Sequence, residues 1–378
     1  MSAQKIVFLI NSILYGGAER ALCNILRSAE QYSDLIVEVV ILDDLPFRRS
    51  LPEGVSYKVL NSRESLARSV FEWRRYASAA RPDIVVSFLI RSNVCNALFS
   101  GVYSYRSVIC ERMHMSSHLR LNHSGLKLYV ASVIPKVVYP LADTVLGVSD
   151  GVTKDLVENF GVSLRRADTV YNPYPIEDIE TSALELTNEG APSKEYIVSV
   201  GRLSKSKNVK TLLDAFLLSG ESADLVVLGE GECRSELESY IDAIGLSGRV
   251  HLLGNIANPF PIVKGAKYFV SASLNEGFPN AMVEAMCLGK PIVMSNCQSG
   301  PLEILNDNQD LEPSENGCWP VKFGVLCEPG SAEALSEGMN IMQDAEQRQF
   351  YGSVARVRAG DFSLEKVNSQ YWNKFLGH

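Results

Sequence analysis

Apolar residues come in two kinds of block along this chain, and the blocks alternate. Short apolar runs, Lys5–Ile10, Ile36–Leu42, Val55–Leu60, Ile84–Phe88, Val108–Cys110, Thr144–Val148 and Thr169–Tyr171, read as strands. Between most of them lie segments such as Ala18–Ala29 and Ser65–Ala80, whose apolar side chains recur at helical spacing. Strand alternating with helix predicts a parallel, doubly wound sheet. The rhythm stops at Asn172-Pro173-Tyr174-Pro175, and the acidic, Ser/Thr-bearing stretch on to Lys194 reads as a linker. It restarts with Tyr196–Val200, Leu225–Leu228, Val250–Leu253, Tyr268–Ser271, Ile292–Met294 and Gly324–Leu326. Two α/β domains are therefore expected, residues 1–173 and 194–355, followed by a helical end, 356–378, that carries Trp372 and Phe375.

The densest signal runs from Tyr268 to Met294. A strand passes through the polar loop Ser271–Glu276 into a helix expected to begin near Pro279 and stop at Gly289. Pro at the first helical position has no amide to leave unpaired, and Gly past the last turn takes the left-handed cap. The loop then sits at the carboxyl edge of a parallel sheet, where open α/β folds bind ligands. Glu276 and Glu284 bracket the amides of Asn280, Ala281 and Met282 at the positive end of the helix dipole. Carboxylates accept hydrogen bonds from hydroxyls and amides donate them to phosphate. A ligand carrying both groups at that separation is a nucleotide sugar.

Other segments converge on the same chemistry. Gly201 to Asn208 leaves the first strand of the second half and brings Arg202 and Lys207 to that sheet edge, where two cations can neutralise a diphosphate. After the first strand of the chain, Tyr15-Gly16-Gly17-Ala18-Glu19-Arg20 lets the backbone approach a ligand at a helix N-terminus. It has neither the dinucleotide nor the P-loop glycine spacing. Cys110-Glu111-Arg112-Met113-His114 offers, at another strand end, a histidine able to hydrogen-bond a sugar or the acceptor and an arginine able to bind an acceptor phosphate.

Length, at 378 residues, suits two domains better than one core. Eight cysteines without a C-x-x-C pair exclude the usual zinc and redox motifs and fit a reducing cytoplasmic compartment. No signal peptide is expected, and no apolar stretch reaches the ~20 residues of a membrane span. A net charge of -8 argues against nucleic acid as a partner, but the charge is uneven. Residues 1–172 hold 20 Lys/Arg against 16 Asp/Glu, whereas residues 173–378 hold 16 against 28. Arg63–Lys136 is the most basic part, 11 against 4, and is a candidate for anionic lipid head groups at about 1 kcal/mol per basic residue. Within it, Ser116–Leu141 interleaves Arg120, Lys127 and Lys136 with Leu, Val and Ile. That pattern reads either as a basic amphipathic surface resting on a membrane or as a core helix pair with a charged outer face.

Glu276-Gly277-Phe278-Pro279 through Glu284-Ala285, then Gly289 and Pro291, resembles the E-x7-E donor signature of retaining glycosyltransferases, family 4 especially. Gly201-Arg202-Leu203 with Lys207 resembles the phosphate-binding segment of that family, with Asn208 where Gly is usual. Gly16 to Arg20 looks like its N-terminal loop, Tyr171-Asn172-Pro173 its hinge, and Ser299 to Ile304 a loop near the phosphates. The resemblance runs from about residue 5 to the end. It implies an α/β, GT-B architecture: two Rossmann-like doubly wound domains facing across a cleft, the first binding acceptor and the second donor, with the last helix crossing back onto the first. By the same resemblance Glu276, Arg202, Lys207 and His114 are catalytic, with either His114 or Arg112 contacting the reacting sugar. Gly16, Gly17, Gly201, Gly254, Asn255, Ile256, Gly277, Phe278, Asn280, Ala281, Met282 and Glu284 bind donor, and Arg112 and Glu111 bind acceptor. No D-x-D occurs, so no metal and no other cofactor is expected. Leu305–Val321 is longer and more acidic than the family pattern and reads as an inserted loop.

The expected activity is retaining transfer from a nucleotide sugar, a UDP-sugar first, to a saccharide acceptor borne on a lipid, in cell-surface glycan or lipopolysaccharide assembly. The expected place is the cytoplasm, peripheral on the inner face of the membrane. An inverting transferase of the same architecture, a nucleotide-sugar epimerase and a non-enzymatic nucleotide-sugar binding subunit are the rivals. Intact Arg202, Lys207, Glu276 and Glu284 speak against a degenerate site, and the missing glycine fingerprint against an NAD dehydrogenase.

Overall fold

The computed structural model describes residues 3–14, 16–47, 49–185 and 190–377. Tyr15 and residues 186–189 of the expected linker lie outside them. The chain divides into two units, Met1–Tyr174 with Leu364–His378, and Pro175–Ser363.

The first unit begins with β1 (Gln4–Ile10), α1 (Gly17–Leu26), β2 (Leu35–Ile41), β3 (Ser56–Val59), α2 (Leu66–Ala80), β4 (Ile84–Phe88) and α3 (Ile90–Tyr103). It continues with β5 (Arg106–Glu111), α4 (Met115–Asn122), α5 (Gly125–Val138), β6 (Thr144–Gly147), α6 (Asp150–Phe160) and β7 (Ala167–Thr169). The strands form one parallel sheet in the order β3-β2-β1-β4-β5-β6-β7. Central strands are apolar throughout because helices cover both faces; β4, Ile84-Val85-Val86-Ser87-Phe88, is buried at every position. The last strand lies two residues earlier than its apolar run suggested, with Ala167 to Thr169 in register with Val145 to Gly147.

The second unit holds α7 (Ile176–Ser182), β8 (Tyr196–Val200), α8 (Val209–Ser219), β9 (Asp224–Leu228), α9 (Arg234–Ala243), β10 (Val250–Gly254), α10 (Phe260–Gly265), β11 (Phe269–Ser271) and α11 (Asn280–Cys287). It ends with β12 (Ile292–Ser295), α12 (Pro301–Asn306), β13 (Cys318–Val321), β14 (Gly324–Cys327), α13 (Ala332–Ile341) and α14 (Ala345–Ala359). Its sheet runs β10-β9-β8-β11-β12-β14-β13, parallel except for the edge strand β13. Two expectations give way here. The linker is in part the helix α7, which opens after Pro175 with Glu177 and Asp178 in its first turn, where the dipole favours acids. The inserted loop ends in β13, whose Pro320 is tolerated on an edge strand.

The chain then returns to the first unit as α15 (Leu364–Leu376). Residues 356–363 stay with the second unit, so the returning helix is shorter than the expected 356–378. Val367, Tyr371, Trp372 and Phe375 of α15 enter the core against Phe8, Leu22 and Ile25. The Trp372 indole stacks on Tyr32 at 4.5 Å and donates to Ser28 Oγ at 2.9 Å. A buried indole needs both partners, since its N–H cannot be left unpaired. At the join, the Leu364 amide donates to the Tyr174 carbonyl at 3.1 Å.

Candidate active site

In the second sheet the strand order reverses direction between β8 and β11. Their following loops therefore diverge and leave an opening at the carboxyl edge, the usual ligand site of this topology. Both loops carry the charged residues singled out above. Lys207 lies in a single 3₁₀ turn, Lys205–Lys207, and Glu276 on the loop before α11. Their Nζ and Oε1 atoms are 2.5 Å apart, with 27% and 11% of the side chains exposed. An ion pair this sheltered keeps a well-defined geometry while one side stays open to solvent.

The loops are tied together by backbone as well. The Leu274 amide donates to the Ser206 carbonyl at 2.8 Å, and Ser299 Oγ donates to the Glu276 carbonyl at 2.5 Å. The Lys207 stem passes beside Gly201, within van der Waals reach of a Cβ placed there. Gly229, at φ +138°, lets β9 close on this loop: a Cβ would fall 2.0 Å from the Gly201 carbonyl oxygen. Asn208 caps α8 in the left-handed region, φ 50° and ψ 43°, which Asn tolerates better than other side chains. This explains why the glycine of the family pattern is dispensable here. Arg202 points to solvent, 76% exposed, with Nε 3.5 Å from Glu232 Oε2, so it is free to swing toward an anion.

Helix α11 begins at Asn280, one residue after Pro279. Asn280 and Ala281 form its first turn. The Met282 amide donates to the Pro279 carbonyl at 3.0 Å, and the Met282 side chain is buried in the core. Phe278 is likewise an anchor: its ring packs edge-on against Phe362 at 5.4 Å, leaving only its backbone beside Gly277 for a ligand. Glu284 is buried, 7% exposed, in the second turn. Gly254, at φ +76°, accepts from the Gly229 amide at 2.7 Å and ends β10, with Asn255 exposed and Ile256 half-buried after it. A cavity of about 510 Å³ opens at the other end of α11, beside Cys287 and Leu288, and is floored by the Arg356–Glu180 ion pair rather than by donor-type groups.

In the first unit the expected site residues separate by role. Glu111 is wholly buried: Tyr139 OH donates to it at 2.7 Å, Asn93 Nδ2 at 3.4 Å and the Arg112 amide at 2.9 Å. Burial pushes its carboxyl up from the ordinary range. Arg112 donates to Tyr371 OH at 2.7 Å and to Asn172 Oδ1, and lies over the Phe88 ring. Both are committed to partners within the fold: Arg112 joins β5 to α15 and to the chain exit. His114 caps α4 and is 9% exposed, its Nδ1 accepting from the Ser117 amide at 3.4 Å. Burial lowers its pKa against the opposing pull of Asp155, so the ring is neutral at pH 7. Gly16 and Gly17 open α1, where a Cβ at Gly16 would fall 2.2 Å from Glu19 Oε2, so the Glu19 carboxylate folds over that helix start.

Sequence reasoning missed Ser299 as the brace of Glu276, and Asp155, which accepts from the Ser116 amide at 2.9 Å and holds the turn bearing His114. A serine in a family-like loop was the available signal for the first; nothing local marks Asp155. Among the described residues no group of His, Cys, Asp and Glu could hold a metal ion, and no helix is long and apolar enough to cross a membrane.

Residues 187–358 match the family Glycosyl transferases group 1. The chain is 27% identical, over 99% of its length and 100% of the relative, to the N-acetylgalactosamine-N,N'-diacetylbacillosaminyl-diphospho-undecaprenol 4-alpha-N-acetylgalactosaminyltransferase of Campylobacter jejuni. It is 26% identical, over 70% of each chain, to the lipopolysaccharide 1,6-galactosyltransferase of Escherichia coli. Among solved structures, Anabaena HepE in complex with UDP and glucose superposes with a TM-score of 0.80 at 22% identity, covering 99% of this chain and 100% of that one. The fold is GT-B, and the chain carries a glycosyl transferases group 1 domain and is a glycosyltransferase.

Proposed function

We propose that this chain is a retaining, family 4-type transferase that moves a sugar from a UDP-sugar to a lipid-linked saccharide in cell-surface glycan assembly, without a metal. The observation that carries the reading is the sheltered Lys207–Glu276 pair at the switch point of the second sheet, beside the α11 mouth. The second unit is the donor side and the first the acceptor side, at the cytoplasmic face of the membrane. The relatives' names support the acceptor class, one acting on a diphospho-undecaprenol saccharide and one on lipopolysaccharide. HepE, solved with UDP, supports the base.

In this mechanism Glu276 holds hydroxyls of the transferred sugar and Glu284 the ribose diol. As the glycosidic C–O bond breaks, its electron pair leaves with the diphosphate, and Lys207, Arg202 and the α11 amides stabilise that charge. Removing one preorganised donor of this kind typically costs about 10²–10³ in rate. A phosphate oxygen of the leaving group takes the acceptor hydroxyl proton on the same face, so no protein base is required. Neutral His114 is a hydrogen-bond partner for the sugar or acceptor. Incubation with a panel of UDP-, GDP- and ADP-sugars, followed by NMR assignment of the product anomer, tests the proposal. Retention with UDP-sugar and full turnover in EDTA are expected. Inversion, or loss of turnover on chelation, would overturn it.

A further inference from the structure

A cavity of about 360 Å³ opens at the carboxyl edge of the first sheet. Its walls are Leu89, Val94 and Met113 from the sheet side and Ala131, Ile134 and Pro135 from α5. The polar groups that reach it are mostly committed to the protein. Arg91 is paired with Asp43, and Asn11 Oδ1 accepts from the Ser92 amide and hydroxyl at 3.2 and 2.7 Å. Glu64 stands exposed at the rim. What the cavity offers a ligand is hydrocarbon surface.

The cavity continues onto an uncovered face. Leu126, Tyr129, Val130, Ile134 and Val137 of α5 are exposed, Leu126 by 77%. At about 100° per residue, Leu126, Val130, Ile134 and Val137 fall within an arc of about 80°. Lys127 flanks that arc on one side; Lys136 flanks it on the other, beyond Tyr129. Apolar stripes flanked by long cations suit a lipid surface, where the ammonium groups reach the phosphates while the stems stay apolar. Residues 115–142 contain Arg120, Lys127 and Lys136 and no Asp or Glu. The charge is therefore complementary to an anionic lipid and to no acidic surface of the helix itself.

We infer that this cavity seats the hydrocarbon chain of the lipid that bears the acceptor, admitted past α5. The inference rests on the lipid-linked acceptor proposed above and names the surface that would read its lipid. The chain would fix the register of the acceptor by an apolar hold, while the cations on α5 face the phosphates.

The test uses the full chain saturated with UDP, so that diphosphate cannot report from the donor side. Farnesyl diphosphate and inorganic diphosphate are titrated by calorimetry. Farnesyl diphosphate should bind at least tenfold more tightly than inorganic diphosphate. Ile134→Asp at the mouth and Ala131→Trp in the wall should each weaken it tenfold or more while leaving the UDP-induced rise in Tm unchanged. Leu217→Asp, an exposed apolar site on α8, should change nothing. Equal affinity for the two diphosphates would show head-group recognition only and overturn the seat, as would farnesyl binding that survives both variants. A separate readout tests the premise. If a water-soluble saccharide accepts sugar as fast as the same saccharide on farnesyl diphosphate, the lipid-acceptor reading fails whatever the titration shows.

Discussion

At the carboxyl edge of the second sheet, Lys207 and Glu276 are held by each other; at the end of β5 in the first, Glu111 and Arg112 are held by uncharged partners. Lys207 and Glu276 pair across two loops, and Arg202 has only a weak, exposed partner. A polyanion entering there exchanges one ionic partner for another, and no core has to open. Glu111 and Arg112, at the end of β5 in the first unit, are hydrogen-bonded to Tyr139, Asn93, Tyr371 and Asn172. Removing them from those partners would leave buried polar groups unpaired, which costs more than a surface ligand returns. The first edge instead presents apolar walls under α5. One topology thus places a half-open ion pair at its edge in one unit and a mostly apolar cavity in the other.

The sharpest way to break this comparison is Lys207→Ala. We expect a loss of about 10²–10³ in single-turnover rate, measured by UDP release, with little change in urea unfolding of the first unit. A rate within threefold of wild type would remove the ionic grip from the second edge. Next comes Arg112→Ala, where the expected outcome is reversed: stability falls by about 1.5–3 kcal/mol, the range for hydrogen bonds to charged groups, and acceptor KM is unmoved. A raised KM at unchanged stability would return Arg112 to the acceptor. Lys127→Ala with Lys136→Ala should weaken flotation with anionic vesicles by about 2 kcal/mol, at about 1 per cation, and leave neutral vesicles unaffected. Glu284→Gln should raise the donor KM about tenfold, the order of one charge-assisted hydrogen bond, with a smaller effect on kcat.

The smallest effect is on pH dependence. Burial holds the His114 pKa below its ordinary 6.5, so the unfolded chain takes up a proton near that pH before the folded one does. Its contribution to stability is therefore present above about 6.5 and declines on acidification. Urea midpoints between pH 7.5 and 5.5 should show this slope, and His114→Asn should reduce it, with His118, also lowered by burial, supplying a remainder.

Strands were legible where apolar runs were continuous and buried on both faces, as in β4 and β9, and the α11 unit was legible because Pro279 and Gly289 mark its ends. Lys207 and Glu276 could be named from their segments, but their meeting could not, since 69 residues separate them. What the sequence left open has a common cause. Glu111, Arg112, Phe278 and Met282 sit in the right segments, yet whether a side chain faces a ligand or the core depends on partners remote in sequence, such as Phe362 and Tyr371. β13 was hidden because a Pro-containing edge strand has neither a run nor an alternation to show.

The hydrogen bond between Leu364 and Tyr174 has a consequence for how such chains diversify. The polypeptide departs from the first unit and rejoins it at neighbouring points, so residues 175–363 form an insert whose ends already meet. Adjacent ends are what domain insertion and circular permutation tolerate best. A recombination event with just two crossover points could thus exchange the whole of residues 175–363 for another unit, while the unit that carries α5 keeps its own closure through α15.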